Sequence, residues 1–543
     1  MVAFNFRERA MLAMGRDLRL GDLIHRLAAI RGDRPLAEES VGDGGTGERV
    51  TYRQAADLVD EWAARIAMRV SSGDRVVVAV PNSYRFFLLC IAASRAGAVV
   101  VPVNPLMSDT EIDAVIADSG AALVIEDERD LAEPVGAGRR GRGRRKATQA
   151  PGVAPVPGEP PAGPVADGGP AAEAGPVGEV GQVAAIFYTS GTTGLPKGAE
   201  LTHRALCAPA VPTSLWPSGI RRDEAVVGLP VAHIMGFATL VALAGAGIPV
   251  FFLPRFRAAA ALEALEVRQS TIFVGVPAMY RLMLEAGAEQ RDLRSVRVWA
   301  SGADVMPDDL ARRFQRMGAS LTLPYVGMSL GQAFFAEGYG MVESGGGVAG
   351  IVVPPYLPVG FAQALGWVLP PYRFRVVGPD GDRMKRGRVG ELWIKGPGVL
   401  RGYHGNEDET RRALTEDGWL RTGDLARRGP FGMVIFAGRQ KDVIKSGGYS
   451  VFAVEVERAL EEHPAVAEAV VLGIPDVRRG EIPVAAVRLR PGLAATEAAL
   501  ISFARQRLSS YKVPRAVRIV DDFPRTGTHK VQKPALRHLF SGA

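Results

Sequence analysis

The chain has 543 residues, of which 47% are hydrophobic and 23% charged, and its formal net charge is +7. This length exceeds what a single hydrophobic core supports, so at least two domains are expected. Two cysteines are too few for a disulfide framework, which excludes a small disulfide-rich secreted protein and favours a reducing compartment, the cytoplasm. Residues 1–20 alternate charges with short apolar runs, a pattern unlike a signal peptide.

The excess of positive charge is local. Residues of about 134–180 are rich in Gly, Pro, Ala and Arg, and they contain a run of six cations: Arg139, Arg140, Arg142, Arg144, Arg145 and Lys146. Without this run the formal net charge falls from +7 to +1, so nucleic-acid binding is not indicated. Such a composition cannot bury enough apolar surface to offset its ordering entropy. We therefore predict a disordered insertion, with an acidic partner or a membrane surface as the alternative role of the run.

The first part of the chain alternates helix and strand patterns. Helical periodicity covers residues 51–70, with a Thr at the start, and residues 84–96 predict a buried helix. Strand patterns occupy residues 75–80, 99–103 and 121–126. This alternation predicts a parallel sheet that is covered by helices on both faces.

A long apolar stretch at residues 230–254 contains one titratable residue, His233. Glycines at 245 and 247 and a proline at 249 interrupt it, which predicts a buried helix of about a dozen residues followed by a strand. A membrane span is therefore not expected. Further strand patterns follow at residues 225–229, 271–276 and 296–300. Because ligands bind beyond the carboxyl ends of parallel strands, the turns after these strands are expected near a binding site.

Residues after 389 show short strand patterns with glycine-rich turns, at 391–395, 433–436 and 443–445. They predict a smaller β-subdomain followed by a separate α+β unit. The predicted fold class is thus α/β, with a large N-terminal domain of parallel sheets covered by helices, a β-subdomain, and a small, mobile α+β C-terminal domain.

The segment of residues 184–198 carries the strongest chemical signal. A predicted strand leads into a loop that contains hydroxyl residues, glycines and one lysine: Thr189, Ser190, Gly191, Thr192, Thr193, Gly194, Lys197 and Gly198. Glycines let backbone N–H groups converge on an anion, hydroxyls add donors and lysine adds charge, so the pattern predicts a phosphate-binding loop. It is not a Walker A loop, because Pro196 precedes Lys197 and the next helix is expected to begin only at Thr202.

The run of residues 188–198 resembles the signature loop of the adenylate-forming (ANL) superfamily, which comprises acyl-CoA synthetases, luciferases and peptide-synthetase adenylation domains. The resemblance implies that this loop binds the ATP phosphates and that Glu343, together with Thr189, holds Mg²⁺. Other segments resemble family motifs in the family's order, between about residues 51 and 533. They imply nucleotide binding by Gly302, Ala303, Asp304, Tyr339, Gly340, Met341, Val342, Asp424 and Arg439.

The resemblance also implies roles for individual side chains. Tyr339 would stack on adenine, and Asp424 would accept both ribose hydroxyls, for which a carboxylate is the natural bidentate partner. Lys530, within residues 524–533, resembles the adenylation lysine. His233 would border the substrate carboxylate and, with Met279 and Tyr280, line the acyl pocket. Residues 318–337 are longer than the family pattern and are expected to reshape that pocket.

The same resemblance implies an N-terminal domain of residues 1–439 and an alternating C-terminal domain of residues 440–543, with the hinge at Lys441. A CoA tunnel is implied along the C-terminal domain, at Lys445, Ser446, Gly447, Gly448 and Tyr449. Two positions depart from the family pattern: Val342, where the family usually has Thr, and His529, where it commonly has Gly. Both departures affect the adenylation half of the cycle.

The resemblance implies a ligase that activates a hydrophobic carboxylic acid as acyl-AMP and transfers it to CoA, using ATP, Mg²⁺ and CoA. Fatty, aromatic and polycyclic terpenoid acids all remain open. One hypothesis is that the two departures slow adenylation and that the chain depends on a partner enzyme for acyl-AMP. The alternative is that water and local repacking compensate, so that both half-reactions are normal. Three alternatives also remain open: transfer to a carrier protein, transfer to an amine, and a degenerate member that binds without turnover.

Overall fold

The structure is a computed structural model. It describes residues 18–41, 45–131, 181–189, 196–216, 222–323, 328–355, 364–447, 449–525 and 531–541. The predicted insertion of about 134–180 lies outside the described residues. Among the described helices, none is long and apolar enough to cross a membrane.

The α-helices of the described residues are numbered α1 to α13 in chain order. They are Leu23–Arg31, Tyr52–Ala67, Tyr84–Arg95, Asp109–Ser119, His203–Cys207, Ala210–Thr213, Ile234–Ala246, Ala258–Arg268, Pro277–Glu285, Asp308–Met317, Glu407–Ala413, Ala453–Glu461 and Glu497–Arg505. Short 3₁₀ helices occupy Leu20–Asp22, Glu128–Leu131, Ala288–Gln290, Val342–Ser344, Pro430–Gly432, Gln440–Asp442 and Lys533–Phe540.

The strands are also numbered in chain order. β1 to β11 are Pro35–Val41, Gly45–Thr51, Arg75–Val78, Val99–Pro102, Leu123–Ile125, Val183–Thr189, Lys197–Thr202, Ala225–Val227, Val250–Phe252, Ile272–Gly275 and Val298–Gly302. β12 to β21 are Leu321–Leu323, Met328–Leu330, Phe334–Met341, Gly346–Val353, Ala364–Val368, Arg373–Val377, Val389–Lys395, Gly402–Tyr403, Leu420–Arg428 and Val434–Arg439. β22 to β26 are Val443–Ser446, Tyr449–Phe452, Val466–Asp476, Gly480–Leu489 and Val517–Ile519.

The large N-terminal domain contains two principal sheets. One has six strands in the order β19-β7-β6-β4-β3-β5, with β3 to β6 parallel to their neighbours and β7 antiparallel to β6. The other has thirteen strands, in the order β17-β18-β20-β21-β16-β15-β14-β11-β10-β8-β9-β1-β2. The predicted parallel sheets are therefore present, and the predicted β-subdomain continues the larger sheet rather than forming a sheet of its own.

Local sequence explains where the helices begin and end. Thr51 caps α2 in a capping box, in which Gln54 N donates to Thr51 Oγ1 at 3.3 Å and Thr51 N donates to Gln54 Oε1 at 2.9 Å. The apolar helix α7 ends at Gly247, which is in the left-handed region, and the chain then enters β9. These are the predicted buried helix, glycine stop and strand.

A cluster of buried aromatic rings supports β11, the strand that ends at Gly302. Tyr280 packs edge-on against Phe314 at 4.8 Å and against Trp299 at 6.1 Å, and its hydroxyl donates to Ala300 O at 2.8 Å. Aromatic pairs in this geometry contribute about 0.5–1.5 kcal/mol beyond their buried area. The carboxyl end of β11 is therefore held by rigid packing.

The C-terminal α+β domain has its own apolar core. Its five-stranded sheet has the order β23-β22-β25-β24, and β26 pairs with β25. One cluster of buried side chains lies between this sheet and helices α12 and α13, and includes Val456, Leu460, Val487 and Leu500. A second cluster, which includes Phe523, Leu536 and Phe540, contains residues of the same domain alone.

Two glycines of the large domain offer a matched test of close packing. Gly366 and Gly387 have nearly the same φ, +84° and +83°, but a Cβ on Gly366 would lie 2.1 Å from Gly350 O whereas nothing lies within 4 Å of one on Gly387. Both alanine variants incur about 1–2 kcal/mol of left-handed strain, and Gly366→Ala adds overpacking of about 1–3 kcal/mol. Thermal unfolding should show the lower midpoint for Gly366→Ala; equal midpoints would contradict this packing.

Candidate active site

A cavity of about 2490 Å³ opens where the carboxyl ends of β6, β11 and β14 meet the antiparallel strand β15. This is where the turns after the parallel strands were predicted to bind a ligand. Ligand pockets commonly measure about 300–1,000 Å³. The cavity therefore has room for a nucleotide and a second molecule together.

The structure brings most of the predicted nucleotide residues to the cavity wall. Those that line it are Thr189, Lys197, Gly302, Ala303, Tyr339, Gly340, Met341, Val342, Asp424 and Arg439. Asp304 is exposed, and its carboxylate accepts a hydrogen bond from Val305 N at 2.8 Å. Ser190, Gly191, Thr192, Thr193 and Gly194 lie outside the described residues. Their roles stay predictions.

The backbone approaches the cavity closely at two positions. Ala303, directly after β11, has φ of +66°, a left-handed conformation that is rare for a residue with a side chain. Strain of this kind concentrates at functional sites. Gly340 lies in β14, and a Cβ there would be 1.9 Å from Gly346 O. Only glycine allows β14 and β15 to approach each other at this point of the wall.

The predicted ribose carboxylate, Asp424, is buried and lies on β20. Its Oδ2 accepts a hydrogen bond from Tyr339 Oη at 2.7 Å, and its Oδ1 lies 3.3 Å from Arg439 Nε. Burial, and then the nearby Asp424 carboxylate, raise the pKa of Tyr339 well above its usual range, so this hydroxyl stays a donor. One carboxylate thus holds the predicted adenine-stacking ring and the predicted nucleotide-binding arginine together.

Glu343, the predicted magnesium ligand, lies in the 3₁₀ turn Val342–Ser344 that follows β14. Its Oε1 accepts a hydrogen bond from Tyr403 Oη at 2.8 Å. Burial and Glu343 raise the pKa of Tyr403, which keeps that hydroxyl protonated. Mg²⁺ usually binds one or two carboxylates together with waters and substrate phosphates. A single oriented carboxylate with the hydroxyl of Thr189 in the same cavity fits that requirement.

Lys197, the predicted phosphate-binding cation, forms an ion pair with Glu409 of α11. The pair is partly buried, and Glu409 Oε1 also accepts from Arg412 Nη1 at 2.6 Å. Hydrogen bonding to Lys197 holds the pKa of Glu409 below its usual value, so the carboxylate is ionised. Glu409 and Arg412 both line the cavity. In this structure the lysine therefore has a counter-ion of its own.

Tyr403, Glu409 and Arg412 were not predicted from the sequence. The segment that carries them lies beside Lys197, because β19 pairs antiparallel with β7, the strand that begins at Lys197. A local signal was available, because Asn406 caps α11 and Glu409 N donates to Asn406 Oδ1 at 3.0 Å. That signal predicts a helix start only. The approach of Glu409 to Lys197, which is 212 residues away in sequence, needs the tertiary fold.

His233, which was predicted to border the substrate carboxylate, lines the cavity. It is the N-cap of α7, where its Nδ1 accepts a hydrogen bond from Met235 N at 3.2 Å. One face of α7 continues the wall with Ile234, Met235, Ala238, Thr239 and Ala242. Eight residues of helix rise about 12 Å, so this apolar wall is about 12 Å long.

Met279 and Tyr280, predicted to line the acyl pocket, lie instead in the hydrophobic core behind it. Tyr280 is fully buried within the aromatic cluster, and Met279 is also buried. The residues at 318–337 form a two-stranded hairpin, β12 and β13, before β14. The lining side chains from this region belong to β14, not to the described part of the hairpin.

Glu337 of β14 is a partly buried residue at the cavity wall. Burial, and then the nearby Asp308 carboxylate, raise its pKa to about 7. Arg458 of the C-terminal domain opposes that shift. This side chain therefore lies where the two domains meet.

Several C-terminal residues reach the cavity in this arrangement of the domains. Lys441, in the 3₁₀ turn Gln440–Asp442 between β21 and β22, lines it together with Arg525 and Gln532. Burial lowers the pKa of Lys441. Arg525 and Gln532 flank Lys530 in sequence, although Lys530 and His529 lie outside the described residues. The chain is thus directed to the cavity on both sides of the predicted catalytic lysine.

The predicted CoA residues lie elsewhere on the C-terminal domain. Lys445, Ser446, Gly447 and Tyr449 occupy β22, β23 and their turn, and none lines the cavity; Gly448 lies outside the described residues. Tyr449 stacks on Tyr511 with ring centroids 4.4 Å apart. Lys445 Nζ donates to Ser450 Oγ at 2.9 Å. The CoA assignment stays a prediction.

Comparison with known families accounts for nearly the whole chain. Residues 26–404 match the model of the AMP-binding enzyme family. Residues 455–530 match the AMP-binding enzyme C-terminal domain. The chain belongs to the adenylate-forming superfamily. The predicted family and fold are confirmed.

Related proteins match this chain over most of its length and most of their own. A feruloyl-CoA synthase of an Amycolatopsis species is 33% identical over 92% of this chain and 96% of its own. The fatty acid–[acyl-carrier-protein] ligase ScoC of Streptomyces coeruleorubidus is 30% identical over 91% and 92%. The crystal structure of ATP-bound MatB from Rhodopseudomonas palustris is similar in fold, with a TM-score of 0.77, 26% identity, and coverage of 96% of this chain and 99% of that one.

The Lys197–Glu409 pair leads to a prediction about ATP affinity. Glu409→Gln removes a charge that competes with phosphate for Lys197, so ATP and pyrophosphate should bind about two- to fivefold more tightly, the range of a partly exposed ion pair. Glu407→Gln is the matched control on the same helix, because Glu407 is 89% exposed and pairs with Arg411. Calorimetric titration measures both. Weaker ATP binding by Glu409→Gln would instead mean that Glu409 holds Lys197 in its binding position.

Proposed function

We propose that the protein is an ATP-dependent, AMP-forming acyl-CoA ligase for a hydrophobic carboxylic acid. The observation that carries the proposal is a single cavity with two chemically different ends. Lys197, Glu343, Asp424 and Arg439 line one part, and the apolar face of α7 lines the other. An acid and a nucleotide can therefore meet in the same space, which acyl-adenylate formation requires.

In the first half-reaction, a carboxylate oxygen of the acid attacks the α-phosphorus of ATP. The bond from that phosphorus to the bridging oxygen of the β-phosphate breaks, so acyl-AMP forms and pyrophosphate leaves. We assign Lys197 and residues 189–194 to the phosphates, Asp424 and Arg439 to the nucleoside, and Lys530 to the charge that develops between acid and phosphate. Mg²⁺ bound at Glu343 would neutralise phosphate charge.

The acyl half of the cavity supports a bulky hydrophobic acid. The wall offered by α7 is about 12 Å long by the rise of the helix, and its Ala238, Thr239 and Ala242 side chains are small. The neighbouring strand β15 contributes Gly346, Gly347, Ala349 and Gly350, and a Cβ on Gly346 would lie 2.9 Å from Ala238 Cβ. Small residues on this helix and strand leave space for a bulky acyl group. Aromatic and fatty acids both fit this description, so ferulate and decanoate are suitable first probes.

In the second half-reaction, the CoA thiol attacks the acyl carbon, and the bond to AMP breaks to give the thioester. We propose that the C-terminal domain, residues 440–543, rotates about Lys441 to bring residues 445–449 to the cavity. Lys530 and residues 445–449 belong to the same small domain in sequence, and in this structure residues 445–447 and 449 lie away from the cavity. One domain can serve both steps only by changing its orientation.

The acceptor and the occurrence of turnover are separate questions. Adding free CoA, a carrier protein or an amine to synthetic acyl-AMP identifies the acceptor. Release of pyrophosphate from ATP in the presence of acid distinguishes an enzyme from a non-catalytic binding protein. We expect turnover and transfer to CoA.

The proposed location is the cytoplasm. Both cysteines, Cys90 and Cys207, are free and buried. Burial raises the pKa of each thiol, so both stay in the unreactive protonated form.

Lys530→Ala provides the central test of the adenylation assignment. Removal of one preorganised donor to transition-state charge typically lowers the rate about 10²–10³-fold. Pyrophosphate release should fall by this factor, while thioester formation from synthetic acyl-AMP and CoA should stay near the wild-type rate. Lys533→Ala is not a suitable control, because Lys533 Nζ forms an ion pair with Glu457 at 2.8 Å. Lys385→Ala is the suitable control, because Lys385 is exposed. Equal loss in both half-reactions would remove Lys530 from its assigned role.

We also propose that adenylation is slower than thioester formation in this chain. Val342 lines the cavity and is largely buried, and it lacks the hydroxyl of the family's Thr; a hydrogen bond to a charged group contributes about 1.5–3 kcal/mol. A side chain at 529 costs about 1–2 kcal/mol if that position needs positive φ. The sum corresponds to about two to four powers of ten in rate.

The corresponding measurement compares the two half-reactions in wild type and in the double variant Val342→Thr, His529→Gly. Pyrophosphate release should be slower than thioester formation from synthetic acyl-AMP in wild type, and the double variant should speed pyrophosphate release alone. Equal wild-type rates, or a double variant that adenylates no faster, would show that local repacking and water replace the lost interactions.

A further inference from the structure

Five charged side chains meet at the border between the two domains, outside the cavity residues already assigned roles. Arg281 and Glu285 lie on α9 of the large domain, four residues apart and so on the same face of the helix. Glu468 of β24, Arg488 of β25 and Arg525 belong to the C-terminal domain. We call these five residues the border cluster.

Glu468 lies at the centre of the border cluster. Its Oε2 accepts a hydrogen bond from Arg525 Nη2 at 2.6 Å, and its Oε1 lies 3.4 Å from Arg281 Nη1. Arg488 approaches the same carboxylate, with Nε 3.8 Å from Oε2, and its Nη1 lies 3.2 Å from Glu285 Oε1. Two of these contacts, Arg281–Glu468 and Arg488–Glu285, cross from one domain to the other.

Burial makes these contacts dependent on the arrangement of the domains. The Glu468 side chain is 8% exposed and that of Arg281 18% exposed. Partly buried charge pairs are screened less by solvent than exposed pairs, so these contacts contribute more than ordinary surface salt bridges. Rotation of the C-terminal domain would break Arg281–Glu468 and Arg488–Glu285, whereas Arg525 and Arg488 would stay with Glu468. The two contacts that cross between the domains therefore favour the present arrangement.

The border cluster is also joined to the cavity. Arg525 both contacts Glu468 and lines the cavity. Arg525 pairs with Val531 in an antiparallel bridge, and Gln532 N donates to Pro524 O at 2.8 Å. The segment between these paired residues, 526–530, contains Lys530. Glu468 thus anchors one end of the chain segment that carries the proposed catalytic lysine, and Arg281 anchors Glu468 to the large domain.

We propose that Arg281 and Glu468 are positioning residues for adenylation, which hold Arg525 and the C-terminal domain against the large domain during that half-reaction. The proposal rests on the two-step function proposed above. Neither side chain touches the reacting atoms; each acts through Arg525. Loss of the Arg281 contact shifts the balance between two domain arrangements, an effect that typically corresponds to about 5–150-fold.

The test measures both half-reactions for Arg281→Met. Pyrophosphate release from ATP and the acid best used by wild type should fall at least about fivefold, while thioester formation from synthetic acyl-AMP and CoA should be unchanged or faster. Arg297→Met is the matched control. Arg297 is 20% exposed and its Nη2 lies 2.9 Å from Asp223 Oδ1, but the pair lies wholly within the large domain. It should not change the ratio of the two rates.

Two further variants decide between positioning and general stability. Glu468→Gln should reduce adenylation more than Arg281→Met, because it also releases Arg525, and Arg281→Met should add nothing in the Glu468→Gln background. Glu285→Gln, on the more exposed side of the border cluster, should cause a smaller change in the same direction. Thermal unfolding checks that each variant is folded.

The outcomes separate the two proposals. Wild-type rates alone decide the proposed function, because a wild type that forms neither acyl-AMP nor thioester would refute it whatever the variants do. The ratio of the two rates decides the role of the border cluster. An active wild type in which Arg281→Met lowers both half-reactions equally, or changes neither, would overturn the positioning role, as would additive effects of Arg281→Met and Glu468→Gln.

Discussion

Charge pairing at the cavity wall is the constraint on which the site depends. A polyphosphate needs cations, but a partly buried cation without a partner is unfavourable in the free protein. Lys197 and Arg439 each have a carboxylate partner, Glu409 and Asp424 respectively. Phosphate binding at Lys197 would therefore be an exchange of partners. The net gain depends on how strongly Glu409 competes with phosphate for this cation.

Rigid aromatic packing supports the backbone next to this charged wall. The aromatic cluster around Tyr280 and Trp299 holds the end of β11, and Ala303 is strained directly beyond it. Helix α9 supplies Tyr280 to this cluster and carries Arg281 at the next position, where it contacts Glu468 across the domain border. The core behind the cavity and the domain border thus share one helix. In the proposed positioning role of Arg281, this helix is the physical link between the domain border and the site.

The substrate half of the cavity follows a different physical principle. Its walls on α7 and β15 are small and apolar, and the close approach of β14 to β15 at Gly340 excludes side chains from that point. Hydrophobic burial is non-directional and scales with area. Under the proposed function, this wall would favour acids by size and apolar surface, whereas the polar part of the cavity would select the nucleotide by charge and hydrogen bonding.

The sequence by itself determined the parts of this protein that depend on local order. The strand into the phosphate loop, the capping box at Thr51 and the glycine stop of α7 follow from neighbouring residues, and the ordered motifs identified the superfamily. Contacts between distant segments could not be predicted from the sequence. The sequence placed Met279 and Tyr280 directly after a predicted strand, where a binding site was expected, but only the tertiary packing, such as that of Tyr280 against Trp299 and Phe314, decided that they lie in the core. Two ion pairs, Lys197–Glu409 and Arg281–Glu468, join residues roughly two hundred positions apart. No local sequence pattern carries information over that distance. Only the arrangement of sheets and domains brings these charges together.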